Sequence, residues 1–300
     1  MRSGRRQQLT LRGRTRRTGQ RVPHRRAGRC WPASRTRSTR SGNWTRRSAS
    51  VARCRPGVRT SAVWRCAAPV SVLAGPCDEV LATALNDSAM LAWLKGTQSF
   101  AAYHRKQYRE ALTLTKAGLQ IARTDHQRIR LLSNGFARAA GKMGDRRAVD
   151  RAIGEALDLA STADGPTYMT SCIDFEPYGW ARTAANAATA YLSAGEYSKA
   201  LALTKELRPI VDASDSDWSR SLVSLDEATA LTMSARADLE QAAAVGMEAL
   251  ELSADKPIAS VGTRANELAI TLQRRGRGSA STDFFEAVRE WQKPLKEARR

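Results

Sequence analysis

Six residues in one short stretch carry the chemistry this chain displays most openly: Tyr168, Asp174, Phe175, Glu176, Tyr178 and Trp180. Two carboxylates with one residue between them can divide the roles of acid and base. Set among aromatic rings, they can equally receive a cationic or amide-bearing ligand. Acid–base work needs companions, and the sequence supplies none: no nucleophile elbow around a serine, no metal-ligand cluster, no phosphate loop between strand and helix. Gly276-Arg277-Gly278 follows a helix-like run, so it is no dinucleotide fingerprint. The histidines, His24, His104 and His126, are scattered, and no two of the five cysteines form a C-x-x-C pair. The expectation is a binding protein without catalytic residues, cofactor or metal. The six residues then rim a ligand or partner surface, or Phe175, Tyr178 and Trp180 simply pack the next structural unit.

Charge divides the chain in two. Its net charge is +20, yet residues 1–70 hold 20 Arg and no Lys, Asp or Glu. The remaining 49 − 20 = 29 basic residues balance the 29 acidic ones, so the rest is neutral. Residues 1–77 lack helical or strand periodicity and are poor in aliphatics, which predicts a disordered basic segment. Arginine neutralises phosphate and tryptophan stacks on bases, so Trp31, Trp44 and Trp64 among the arginines fit a nucleic-acid-binding arm. Arginine without lysine or acid equally fits GC-rich DNA translated out of frame or upstream of the true start. No apolar run reaches the roughly 18 residues of a membrane span, and scattered, odd cysteines suit a reducing cytoplasm.

From residue 78 the pattern changes. Leu91 and Leu94, then Leu112, Leu119 and Ala122, recur at helical spacing, and alanine is abundant. Short breaks at residues 144–145, 164–166, 194–196, 214–215, 255–257 and 276–278 separate runs of ordinary helix length. The prediction is an all-α domain over 78–300, about ten antiparallel helices. Asp283 with Glu286 predicts a capping box opening the last helix, which carries Phe284, Val288 and Trp291.

One phrase recurs at the breaks: a turn, a large residue, then an alanine opening a second helix. Tyr191, Gly195, Tyr197 and Ala200 form the clearest copy; Tyr108 with Ala111 and Leu239 with Ala242 repeat it. Gly144 with Ala148 is one residue shorter. The glycine reverses the chain, the large residue plugs the corner, and the alanine lets two helices touch.

These phrases resemble tetratricopeptide repeats, which implies helical hairpins stacked as a solenoid. The anchors Ala111, Ala148, Ala200 and Ala242 stand 37, 52 and 42 residues apart, against about 34 in the family. Thr115, Ala152, Thr204 and Gly246 stand where the family has an aromatic. The 52-residue gap contains the insertion of residues 162–179. The amide–lysine clamp that some members use for peptide C-termini finds only Asn186 and Asn266 here.

Residues 78–300 also resemble the C-terminal half of bacterial Cro/repressor-like (XRE) helix-turn-helix regulators. The stretches that carry this are 144–148, 218–222, 228–231, 248–250, 257–261, 264–268 and 285–289. The resemblance implies a domain that senses a peptide, protein or small-molecule effector and mediates homodimerisation. No helix-turn-helix is legible in residues 1–77, so DNA binding would need one in the true gene product or would act through the basic segment. Two functions stand: a regulator's sensing domain, or a free-standing scaffold for protein–protein interaction.

Overall fold

The computed structural model describes residues 76–172, 175–276 and 278–297, all within one compact unit. Expectations placed on residues 1–75, and the carboxylate of Asp174, lie outside it. Among the described residues every regular element is a helix.

A short helix α1 (Pro76–Ala84) leads into five hairpins. The first pairs α2 (Ser88–His104) with α3 (Tyr108–Ile121). In the second, a first arm made of α4 (Asp125–Arg130), a π-helical turn (Leu131–Ala137) and α5 (Arg138–Lys142) packs on α6 (Arg146–Thr162). The others pair α7 (Trp180–Ala194) with α8 (Tyr197–Asp212), α9 (Asp217–Met233) with α10 (Leu239–Glu251), and α11 (Ala259–Arg275) with α12 (Ser279–Trp291). The short α13 (Lys293–Glu297) follows. Each hairpin packs against the next in chain order.

The recurrent phrase sits where the sequence placed it. Tyr108, Tyr197 and Leu239 begin α3, α8 and α10, and Ala111, Ala148, Ala200 and Ala242 are buried. Gly144 and Gly195 turn the chain at φ +78°, a left-handed geometry that glycine adopts without steric cost. In the shorter copy the Asp145 side chain accepts from the Ala148 amide, capping α6 directly.

The missing aromatics have a packing reason. Thr115, Ala152 and Thr204 are all buried. A Cβ on Gly135, in the π turn, would lie 2.5 Å from Thr115 Oγ1. A Cβ on Gly246 would meet Phe284 at 2.7 Å. The small residues Thr115 and Gly246 admit the neighbouring helix at these positions.

One capping expectation is overturned. Asp283 lies inside α12, which starts at Ser279. The Gly276–Gly278 turn releases the chain earlier, and Ser281 Oγ ties that turn by donating to the Gly276 and Gly278 carbonyls. The capping box occurs instead at Thr124 and Gln127, opening α4.

Candidate functional site

A groove of about 780 Å³ is walled by the first helix of every hairpin. Its size falls in the range of pockets that take a small molecule or a short peptide. Tyr103 and His104 come from α2, Arg138 and Lys142 from α5, Arg182, Asn186 and Thr189 from α7. Asp226 comes from α9, and Arg264 and Glu267 from α11. On α7 the polar residues Arg182, Asn186, Thr189 and Ser193 follow three- and four-residue spacing on an otherwise alanine-rich helix, so they share one face. The lining holds seven basic side chains and two carboxylates.

One carboxylate is already neutralised. Asp226 accepts from Arg264 Nη1 and, at 2.6 Å, from Thr189 Oγ1. That network joins α7, α9 and α11 across the groove. Burial works against the charge on Arg264, and Asp226 together with Tyr103 and Glu267 more than offsets it, so the guanidinium pKa is raised.

The second polar centre is built around Tyr178, whose side chain is fully buried. Its hydroxyl donates to the Cys172 carbonyl at 2.6 Å and accepts from Asn134 Nδ2 at 3.1 Å. Arg138 Nη1 donates to Asn134 Oδ1 at 2.7 Å, and the guanidinium lies 4.4 Å from the Tyr103 ring centroid. Arg130 donates to the Cys172 carbonyl at 2.9 Å and lies 5.0 Å from the Tyr178 ring. Arg182 donates from Nε to the Thr170 carbonyl at 2.5 Å and from Nη2 to Ser219 Oγ at 2.9 Å. Burial pushes the Tyr178 phenol up to about 12 despite the three guanidinium groups nearby. Tyr178 therefore stays protonated and serves as a donor.

The carbonyls of Thr170 and Cys172 are thus held by guanidinium groups from α4 and α7. Cys172, from the insertion, forms part of the groove wall.

Arg138 and Arg182 are each only 4% exposed, and no carboxylate of the described residues pairs with either. Neutral acceptors and aromatic faces only partly offset the several kcal/mol that desolvating an ion costs. Arg138 Nε and Asn186 Nδ2 have no hydrogen-bond partner.

His104 opens onto the same groove and is exposed there. Surrounding protein withdraws water from the ring, and Arg138 and Arg264 repel a proton from it, so its pKa lies below the ordinary histidine value. The open groove tempers that shift without reversing its sign.

The five described residues among the six singled out in the sequence are scattered in role. Tyr178 is core, and its hydroxyl organises the arginine cluster. Trp180 opens α7 half-buried. Tyr168 and Glu176 are exposed and bonded to each other at 2.7 Å. Phe175 is 64% exposed and stacks on Trp93. Asn186 lines the groove, whereas Asn266 is exposed and outside it.

Among the described residues no helix is long and apolar enough to cross a membrane. Comparison with protein-family models, with curated proteins and with solved structures finds no match.

Proposed function

We propose that residues 76–297 are a tetratricopeptide-like solenoid acting as a regulatory binding module, with the groove as the ligand site. The observation that carries this reading is that all five hairpins contribute one helix to a single cavity of about 780 Å³. Stacked hairpins expose one helix of each pair on a shared face, the usual binding surface of such repeats. The likeness to the C-terminal half of XRE regulators supports a sensing role for a peptide or small-molecule effector.

The test is native mass spectrometry of the full chain purified from its own host. A bound mass should accompany the wild type and be lost from Ser193→Trp, which fills the groove from α7. A bound mass that persists in Ser193→Trp places the ligand elsewhere.

A second reading, a scaffold for protein partners, draws on α1 and the turn that follows it, where Val80, Leu81 and Leu85 expose their apolar side chains. Co-purifying proteins lost on Leu81→Glu but retained on Ser193→Trp would favour it.

A further inference from the structure

We propose that the groove's ligand carries an oxyanion, carboxylate or phosphate, that docks against Arg138 and Arg182 beside Asn186. The inference rests on the groove being the ligand site and names the chemistry recognised there.

Two buried guanidinium groups face one cavity without a carboxylate of the described residues to neutralise them. Their present partners are neutral: Asn134 and two aromatic rings for Arg138, a backbone carbonyl, a hydroxyl and the Trp218 ring for Arg182. Arg138 Nε remains a buried donor without an acceptor. An arrangement that only served stability would pair these charges, as Asp226 pairs Arg264 in the same groove. The planar fork of arginine matches the two oxygens of a carboxylate or phosphate face.

The charge gradient along the groove fits an anion entering from outside. Lys106, Lys142, Arg274 and Arg275 stand at or just beyond the C-terminal ends of α2, α5 and α11. They form a basic mouth that raises the local concentration of an anionic ligand. Glu267 is the one lining carboxylate outside the Asp226–Arg264 pair.

The experiment uses the full chain at fixed ionic strength, with hydrogen exchange and calorimetry as readouts. The probes are inorganic phosphate, N-acetyl-tetraglutamate and its neutral counterpart, N-acetyl-tetraglutamine amide. The expected result is that at least one anion slows exchange in α5 and α7. Its affinity should fall about tenfold or more in Arg138→Gln and Arg182→Gln, the scale of one charge-assisted hydrogen bond. Arg138→Lys, which keeps the charge and loses the fork, should fall between, and Arg274→Gln at the mouth should matter least. Anion binding to the arginine-rich N-terminal segment would be unchanged by these substitutions, which separates the two. A response confined to phosphate or to tetraglutamate identifies the source of the oxyanion. Thermal melts of each variant report whether it folds, and Arg138→Lys serves where Arg138→Gln does not. If neither anion protects α5 and α7, or if both glutamine variants bind like wild type, the proposal fails. Protection by the neutral peptide alone, equal in all variants, overturns the oxyanion and leaves the groove standing as a ligand site.

Discussion

The indole of Trp93 and the ring of Phe175 stack with centroids 4.3 Å apart and planes 15° from parallel. This joins the first hairpin to the insertion after the second. An offset aromatic pair contributes about 0.5–1.5 kcal/mol beyond its buried area. A double-mutant cycle with Trp93→Ala and Phe175→Ala should return a coupling of that order, and the amides of residues 168–172 should exchange faster in either single variant. Strictly additive effects would show that the stack does not hold the insertion.

Ala200 is fully buried where α8 meets its neighbours. A leucine there overpacks the hairpin corner, which costs about 1–3 kcal/mol. Ala200→Leu should lower the melting temperature by several degrees on the scale of a domain this size. Lys199 is a poor control because it pairs with Asp150 at 2.6 Å. Lys205 is exposed on the same helix, and Lys205→Leu should leave the melt nearly unchanged.

Much of the fold was legible because it rests on local rules. Alanine spacing, and Gly144 and Gly195 at their turns, each act within a few residues of chain. The fifth hairpin was harder: its corner is Gly276 to Gly278 with Ser281, and no tyrosine or leucine marks it. The groove was less legible still. Arg138 and Arg182 lie 44 residues apart in sequence and acquire meaning only when α5 and α7 pack. A usable signal was present in α7, where Arg182, Asn186, Thr189 and Ser193 form a single polar stripe on an alanine helix. The insertion drew attention by its aromatic and acidic side chains, yet its backbone carbonyls at Thr170 and Cys172 meet the arginines, and sequence carries no mark of that.

His104 makes stability depend on pH with a defined sign. Its folded-state pKa is below the ordinary 6.5, first because the surrounding protein withdraws water from the ring and then because Arg138 and Arg264 repel a proton. Below about 6.5 the unfolded chain takes up a proton that the folded protein resists, so protonation favours unfolding. The contribution of neutral His104 is fully present above the ordinary value and is lost progressively as pH falls from there toward the folded-state pKa. Denaturant melts of wild type and His104→Gln between about pH 7.5 and pH 5 should show wild type losing ground to the variant as pH falls. Carboxylates common to both proteins cancel in the difference. A pH-independent difference would mean His104 titrates normally.

Two glycines in neighbouring helices should respond oppositely to one substitution. On Gly154, in α6, a Cβ would meet nothing within 4 Å, and the position is exposed. Alanine there restricts the unfolded chain and suits a helix interior, so Gly154→Ala should stabilise by about 0.5–1 kcal/mol. On Gly141, in α5, a Cβ would lie 2.6 Å from the Ala190 carbonyl oxygen and 3.0 Å from Ser193 Cβ. The obstacle at Ala190 is backbone, which cannot swing aside, so α5 and α7 must separate. The helix-propensity gain is then outweighed by an overpacking cost of about 1–3 kcal/mol, and Gly141→Ala should destabilise. The same separation displaces Lys142 and Ser193, which line the groove. Gly141→Ala should therefore also weaken whatever anion binding Arg138 and Arg182 support, while Gly154→Ala leaves it intact. Chemical denaturation and calorimetry with phosphate on the two variants check both halves, and a shift of the same sign in both stabilities would show that α5 and α7 are not packed this closely.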